Sequence, residues 1–98
     1  MINNDLDIVK ETVLKYLGDQ NVKVILFGSR ARGNNTAASD IDIGIIPKGE
    51  FDRYKLSLLK QYIDEYLNIP YKVDVVDFSL VSEVFKKVAL SRVIIWKN

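Results

Sequence analysis

Residues 40–45 read Asp-Ile-Asp-Ile-Gly-Ile, so an isoleucine alternates with a residue that is either acidic or has no side chain. This period of two predicts a β-strand, because successive side chains of a strand point to opposite faces of its sheet. The isoleucines then form an apolar face that packs against helices, while Asp40, Asp42 and Gly44 share the other face. Two neighbouring carboxylates repel each other unless they are solvated or have a divalent cation between them. That second face is therefore expected to be open or to line a site.

An apolar, β-branched run precedes this strand and ends in a glycine and a serine. Val22 to Phe27 predicts a buried strand, which Gly28 and Ser29 end in a turn that exposes backbone N–H groups. If Ser29 begins a short helix, its hydroxyl and the free N–H groups of the first turn face an anion together. The link between the strands is short, whereas a parallel crossover needs a dozen or more residues, so antiparallel neighbours are favoured, with Ser29 near Asp40 and Asp42. An Asp-x-Asp pair alone is more typical of a solvated strand face or turn, but the upstream Gly-Ser favours a site.

Two helices are predicted to cover the sheet. The first begins at a cap near Asn4 or Asp5 and ends at Gly18, and the second covers about Phe51 to Leu67. The apolar stripe of the first helix consists of Leu6, Val9, Val13 and Leu17. The second helix has two stripes, an aliphatic one of Leu56, Leu59, Ile63 and Leu67 and a mixed one of Phe51, Leu58, Tyr62 and Tyr66. Because a helix on a sheet needs only one apolar stripe, the mixed stripe should either face a partner or lie over the domain's own edge.

The C-terminal third predicts a strand, a helix and a short closing strand. The strand covers about Tyr71 to Val76 and turns Asp74 to the face opposite its immediate neighbours, while Asp77 is expected to be a turn or cap residue. Ser79 is expected to cap the helix. The apolar residues of that helix, which should pack inward, are Val81, Val84, Phe85 and Val88. The closing strand covers about Arg92 to Trp96 and should lie at an edge of the sheet.

Composition restricts the chemistry open to this chain. Its 98 residues are expected to form one small domain, residues 1–98, that buries about two thirds of its unfolded surface. With no cysteine and no histidine, general-base roles and metal ligation fall to carboxylates. A net charge of +1 provides no field that would draw nucleic acid or a membrane surface. Neither a signal peptide nor an apolar run of about 18 residues is present, so a cytoplasmic protein without direct nucleic-acid or membrane binding is expected.

These residues resemble the signature of a known superfamily. A Gly-Ser pair, ten intervening residues and Asp-x-Asp are similar to the motif of the DNA polymerase β nucleotidyltransferases. The fuller string Gly-Ser-Arg-Ala-Arg-Gly followed by Ser-Asp-Ile-Asp resembles the minimal nucleotidyltransferase (MNT) branch. The family takes a third carboxylate from a later strand, and residues 71–77 match that element with Asp74 at the expected place. The resemblance covers essentially the whole chain and implies an α/β (α+β) fold, with helices packed on a small mixed sheet of about four strands.

The resemblance also implies an activity, the metal-dependent transfer of a nucleoside monophosphate, expected to be AMP from ATP, to a hydroxyl group. Asp40, Asp42 and Asp74 are then the catalytic residues and the ligands of magnesium, Mg²⁺, with two ions expected. A two-metal clamp suits in-line attack on the α-phosphorus because it activates the acceptor and neutralises the leaving group. Asp74 would bind the acceptor-side ion or take the proton of the acceptor.

Four residues are expected to bind the nucleotide. Gly28 and Ser29 would hold the terminal phosphates. Arg30 and Arg32 lie two apart and point in different directions on a short helix, so we expect one to contact phosphate and the other to be structural or to meet a partner.

The acceptor is expected to come from another polypeptide, because this chain has no further domain to hold one. For the MNT branch the resemblance implies a separately encoded, helical HEPN-domain protein, an RNase toxin that the MNT protein neutralises by transferring AMP to a tyrosine. Two alternatives stay open: transfer to a small molecule held by a partner subunit, and a non-catalytic subunit that masks its partner.

Overall fold

The computed structural model describes residues 5–34, 36 and 39–98. Its helices are α1 (Asp5–Leu17), α2 (Ser29–Arg32), α3 (Arg53–Glu65) and α4 (Glu83–Ala89). Its strands are β1 (Val22–Phe27), β2 (Ile41–Pro47), β3 (Val73–Asp77) and β4 (Ile94–Lys97). Within this part of the chain, no helix is long and apolar enough to cross a membrane.

The four strands form one mixed sheet in the order β3-β2-β1-β4. β1 pairs antiparallel with both β2 and β4, and β2 pairs parallel with β3. The parallel pair needs a long crossover, which α3 supplies. The predicted α+β fold, the antiparallel β1–β2 pair and the position of the closing strand at an edge are confirmed.

The boundaries differ from the predicted ones by a few residues. β2 begins at Ile41 and β3 at Val73, and α3 begins at Arg53 because the Asp52 side chain caps it, accepting a 3.0 Å hydrogen bond from a backbone N–H two residues later. The structure begins α1 at Asp5, whereas the other cap candidate, Asn4, lies outside the described residues.

One face of the sheet carries the main core. α1 and α3 pack on it, and the predicted isoleucine face of β2 is fully buried there. The buried members of this core are Val9, Val13, Leu17, Val22, Val24, Leu26, Ile41, Ile43, Ile45, Leu56, Leu59, Ile63 and Val75. Each large aliphatic side chain removed from water stabilises the fold by about 1.5 to 3 kcal/mol, so this face determines which side of β2 remains for polar residues.

The opposite face of β2 is only partly open, which corrects the prediction for residues 40–44. Gly44 is buried, and a Cβ at this position would lie 2.7 Å from the ring of Phe78 and 2.8 Å from Ile25. A second cluster, formed by Ile25, Phe27, Phe78 and Ala89, covers this end of the strand. The ring of Phe78 fits there because glycine has no side chain, so the open part of the face is confined to the two aspartates.

The prediction for α4 is wrong in two respects. Ser82, not Ser79, caps the helix, because the Ser79 hydroxyl is already hydrogen-bonded to Asp77 and the chain turns once more before α4 begins. Val84 and Val88 do not pack inward, since they are 76% and 65% exposed. A helix of seven residues reaches the sheet with few side chains, and the space over β1 and β2 is already filled by phenylalanine rings.

The mixed stripe of α3 is divided between the domain and solvent. Phe51 packs against the main core, and Leu58 is half-buried. Tyr62 lies over α1, with its ring centroid 5.9 Å from that of Tyr16, and Tyr66 lies 5.7 Å from Tyr62 but is 69% exposed. The alternative that the stripe covers the domain's own edge is therefore confirmed for Phe51 and Tyr62, whereas a partner contact at the exposed Tyr66 stays a prediction.

Candidate active site

Gly28 connects β1 to α2 in a backbone conformation that essentially only glycine adopts, with φ 77° and ψ −158°. A Cβ at this position would lie 2.3 Å from Oδ2 of Asp42. The cause is the strand register: Phe27 pairs with Asp42, so the residue that follows β1 lies beside that carboxylate. The short link between the strands thus brings the Gly-Ser turn and Asp42 together.

Ser29 is the first residue of α2, as the sequence predicts. The carbonyl of Gly28 accepts a 3.1 Å hydrogen bond from the N–H of Ala31, the first donor within the helix. The N–H groups of Ser29 and Arg30 come before that donor and have no partner inside the helix. They are, with the Ser29 hydroxyl, the groups that we expect to bind phosphate.

Two carboxylates lie side by side on neighbouring strands. Asp42 of β2 is in direct register with Asp74 of β3, and Asp40 precedes β2 as an exposed residue. Burial raises the pKa of Asp42, and the charges of Asp74 and Asp40 raise it further. The positive charges of Arg32 and Lys72 oppose this shift without cancelling it. The site is therefore short of positive charge, as expected of a place that receives a cation.

Replacing Asp42 with asparagine is expected to stabilise the ligand-free protein at neutral pH and to raise its Tm, because it removes a partly buried carboxylate that the charges of Asp74 and Asp40 repel. Because the pKa of Asp42 is raised by folding, its carboxyl group binds a proton more tightly in the folded protein than in the unfolded chain. The ionised carboxylate thus lowers stability above its folded pKa, and the penalty disappears as the pH falls through that pKa to the ordinary value of 3.8. Thermal unfolding of both proteins from about pH 8 to about pH 4 measures this. An Asp42→Asn protein that is less stable than wild type at neutral pH would contradict it.

The two arginines of α2 differ in their contacts. The Arg30 guanidinium donates to the backbone carbonyls of residues 39–40 at 2.8 to 3.3 Å and lies over the Tyr71 ring, 4.9 Å from its centroid. Arg32 is exposed, and its charge lowers the pKa of Asp42. Arg30 thus fastens α2 to the start of β2, and the charge of Arg32 acts on the carboxylates.

The described carboxylates do not form a ready-made metal cage. Within residues 5–34, 36 and 39–98, no group of three or more His, Cys, Asp or Glu side chains is arranged so that it could hold a metal ion. The donors still suit Mg²⁺, which usually binds through one or two carboxylates together with waters and substrate phosphates. Asp42 and Asp74 supply two such carboxylates side by side. The residues fit an ion that arrives with its nucleotide, and Asp40, Asp42 and Asp74 as its ligands remain a prediction.

Lys72, which is not part of the predicted set of site residues, belongs to the charge balance of the site. It lies two residues before Asp74, and its charge acts on Asp42. Residues two apart on a strand share a face, so the alternation that assigns Asp74 to the site face assigns Lys72 to the same face. Lys60 and Asp64 line a pocket with Asp74. No spacing in the sequence indicates this, because the path of α3 across the sheet brings them there.

Asp77 is the buried last residue of β3, and its side chain holds the turn that follows, in agreement with the predicted turn or cap role. It accepts hydrogen bonds from the backbone N–H of Ser79 at 2.9 Å and from its hydroxyl at 2.6 Å, and it pairs with the Arg53 guanidinium. Burial alone would raise the pKa of Asp77, but these hydrogen bonds and the arginine together bring it below its ordinary value. Asp77 therefore fixes the turn after β3 to the start of α3.

The mixed sheet, the Gly-Ser turn and the carboxylates beside it define a nucleotidyltransferase fold. The chain belongs to the polymerase β nucleotidyltransferase family, since the family model described as "Polymerase beta, Nucleotidyltransferase" matches residues 11–98.

Two similar proteins bear the name protein adenylyltransferase. One, from Methanocaldococcus jannaschii, is 38% identical over 84% of this chain, which spans 61% of that protein's length. The other, MntA of Haemophilus influenzae, is 31% identical over 88% of this chain and 73% of its own length. A chain in the crystal structure of a toxin–antitoxin complex with AMP-PNP is 25% identical, with a TM-score of 0.66, over 91% of this chain and 73% of its own.

Proposed function

We propose that this chain transfers AMP from ATP to a hydroxyl group of a protein, a tyrosine of a HEPN-domain toxin, and thereby acts as an antitoxin. The observation that carries the proposal is the contact of Gly28 with Asp42 and the register of Asp42 with Asp74. This arrangement combines an anion-binding turn with two carboxylates, the parts that in-line attack on an α-phosphorus requires. The similarity to protein adenylyltransferases supports AMP as the transferred group and a protein as the acceptor.

Each part of the site has a role in this reaction. Ser29 and the first N–H groups of α2 hold the terminal phosphates, and Arg32 adds positive charge beside them. Asp40, Asp42 and Asp74 would hold Mg²⁺, which when bound lowers the pKa of the acceptor hydroxyl and neutralises the triphosphate.

The chemical step forms one bond and breaks one. The hydroxyl oxygen bonds to the α-phosphorus, the bond from that phosphorus to the bridging oxygen breaks, and pyrophosphate leaves with the electron pair. Asp74 would take the proton of the hydroxyl or bind the acceptor-side ion, and its exposure on the edge strand β3 supports either role.

The direct test is a transfer assay with ATP labelled at the α-phosphate, Mg²⁺ and a co-expressed HEPN-domain protein. We expect the label on a tyrosine of that protein, identified by peptide mass spectrometry, together with loss of its RNase activity. ATP labelled at the γ-phosphate is the control and should label nothing. Label found only on small molecules, or neutralisation that needs no ATP, would replace this proposal with one of the two alternatives.

Ser29→Ala is expected to weaken ATP binding by about 1 to 3 kcal/mol while the protein stays folded, because one hydrogen-bond donor to the phosphates is lost. Calorimetry with ATP and Mg²⁺ measures the effect. Ser57→Ala is the matched control, since Ser57 is an exposed serine of α3. A Ser29→Ala protein that unfolds instead would show that Ser29 has a structural role.

Replacing Tyr62 and Tyr66 together with alanine is expected to weaken binding of the HEPN-domain protein by about tenfold or more. Tyr66 is exposed at the end of the mixed stripe, where a helical partner could bury it. The matched control is Leu80→Ala, because Leu80 is also strongly exposed, at 79%, but lies outside α3. Co-purification, after circular dichroism has shown folded proteins, gives the result. Equal loss in both variants would rule out this stripe as the interface.

A further inference from the structure

The outer side of β3 is the edge of the sheet that lies nearest to the carboxylates. The sheet order β3-β2-β1-β4 places β3 at one end, and no segment of the described residues pairs with its outer side. Two backbone hydrogen bonds define the hydrogen-bonding pattern between β3 and β2. The Ile41 N–H donates to the carbonyl of Lys72 at 2.9 Å, and the Phe78 N–H donates to the carbonyl of Ile45 at 2.8 Å.

These two bonds determine which residues of β3 face outward. In a parallel pair the residues that bond to the neighbouring strand alternate along each strand. With the observed register, Asp74 and Val76 direct their N–H and C=O groups to β2. Val73 and Val75 therefore direct theirs to the open edge, while the Asp74 side chain lies on the face of the catalytic carboxylates.

A pocket of about 130 Å³ follows this edge. It is lined by Lys60, Ile63, Asp64, Val73, Asp74 and Val75. Lys60 and Asp64 are exposed and lie four residues apart on α3, so they supply a cation and a carboxylate beside the outward backbone groups of β3.

We propose that the acceptor protein binds here as an added strand, antiparallel to β3, with its hydroxyl-bearing residue opposite Asp74. This inference rests on the proposed function and names the binding mode of its substrate. Residues opposite each other at such a position, where no hydrogen bond joins them, have Cα atoms about 4.5 Å apart and side chains on the same face. The acceptor hydroxyl thus arrives on the face of Asp42 and Asp74. Hydrogen bonds to Val73 and Val75 hold the segment irrespective of most of its side chains.

A second copy of this chain is a poorer occupant of the same edge. Two β3 strands paired antiparallel about Asp74 would place the two Asp74 carboxylates opposite each other, and like charges directly opposite are destabilising. An acceptor with an uncharged hydroxyl at that position avoids this repulsion. The charged side chains beside this edge, those of Lys60, Asp64 and Asp74, also discourage indiscriminate pairing of the edge strand.

Amide hydrogen exchange measured by NMR tests the proposal, with the HEPN-domain protein of the transfer assay and a non-hydrolysable ATP analogue. On binding, the N–H groups of Val73 and Val75 should exchange at least about tenfold more slowly, whereas those of Asp74 and Val76, already bonded to β2, should not change. Unchanged exchange at Val73 and Val75 in a complex that transfers AMP would overturn the edge proposal alone. If the same two proteins form a complex but show no transfer when ATP replaces the analogue, the proposed function is overturned instead. Protection together with dimerisation of this chain alone would assign the edge to a second copy.

A pair of variants at one position supplies a second measurement. Val73→Pro removes an outward N–H without removing a bond to β2, and proline is tolerated at the first residue of an edge strand. We expect it to raise KM for the acceptor about fivefold to tenfold, with ATP binding unchanged. Val73→Ala loses the same side chain but keeps the N–H, so it should raise KM less than about threefold. Equal effects of the two variants would show that only the side chain matters and would overturn the proposal. If Val73→Pro does not fold, the exchange measurement still decides.

Discussion

Replacing Asp42 with asparagine is expected to reduce nucleotide transfer by at least about a thousandfold, which corresponds to several kcal/mol of lost transition-state stabilisation. Asp42 joins the Gly-Ser turn to the second carboxylate. It lies against Gly28, and it is in register with Asp74 on the neighbouring strand. The amide keeps the shape of the side chain but removes the charge with which Asp42 would hold a cation. Asp74→Asn should show a loss of similar size if Asp74 is a ligand or the proton acceptor.

The measurement is single-turnover transfer at saturating ATP, so that a change in the chemical step is separated from a change in ATP affinity. Glu65→Gln is the control, since Glu65 is an exposed carboxylate on α3 that lines none of the site described above. Asp42→Asn should be inactive and yet more stable than wild type without ligand, a combination that damage to the fold cannot produce. Full activity in Asp42→Asn would refute the assignment.

Much of this site could be predicted from local pattern. Period-two alternation places Asp42 on the face opposite the isoleucines, and the end of an apolar run places the turn at Gly28. The link between the strands, residues 28–40, is barely as long as a parallel crossover and its described part holds only a four-residue helix, so antiparallel pairing is favoured, and this pairing brings Gly28 beside Asp42. Each step uses covalent geometry or the burial of large apolar side chains, both of which are visible in the sequence.

The parts that could not be predicted depend on contacts between distant segments. Ser79 is a sound helix cap by local rules, but a hydrogen bond to the buried Asp77 engages it, and the helix starts at Ser82 instead. The burial of Gly44 depends on the ring of Phe78, which is far along the chain. Local pattern could not decide between these roles. Ser79 suits a helix cap and a turn equally well, and Gly44 suits an open strand face and a covered one equally well.

The two arginines of α2 show the same limit. Arg30 lies two residues after Gly28, Arg32 lies directly before Gly33, and both belong to the same short helix, so the sequence leaves open which one meets phosphate. The structure engages Arg30 with the backbone of residues 39–40 and with Tyr71. These contacts leave Arg32 as the better candidate for the nucleotide, a distinction that exists only once β2 and β3 are adjacent.

Gly28→Ala is expected to destabilise the protein by roughly 2 to 4 kcal/mol and to reduce transfer by about a hundredfold or more. Two effects add at this position. The backbone conformation is one that a residue with a Cβ rarely adopts, and the new methyl group would lie 2.3 Å from Oδ2 of Asp42. Because that carboxylate must move away, the loss of activity follows from a displacement on the order of 1 Å.

Gly33→Ala is the control for the backbone effect. Gly33 also has a positive φ, 82°, but a Cβ there would meet no atom within 4 Å. Its substitution should therefore destabilise by about 1 to 2 kcal/mol and leave transfer within a few-fold of wild type. Chemical denaturation and the transfer assay, applied to both variants, compare a positive-φ glycine that faces the carboxylate with one that does not.

A double-mutant cycle isolates the contact between Gly28 and Asp42. If the methyl group of alanine acts by displacing the carboxylate, Gly28→Ala should destabilise an Asp42→Ala background less than it destabilises wild type. The difference between the two backgrounds, expected to be about 1 kcal/mol or more, measures the clash itself, because the backbone strain at residue 28 is the same in both. Equal destabilisation in the two backgrounds would mean that Gly28 serves the turn alone, and that its position beside the carboxylate plays no part in the site.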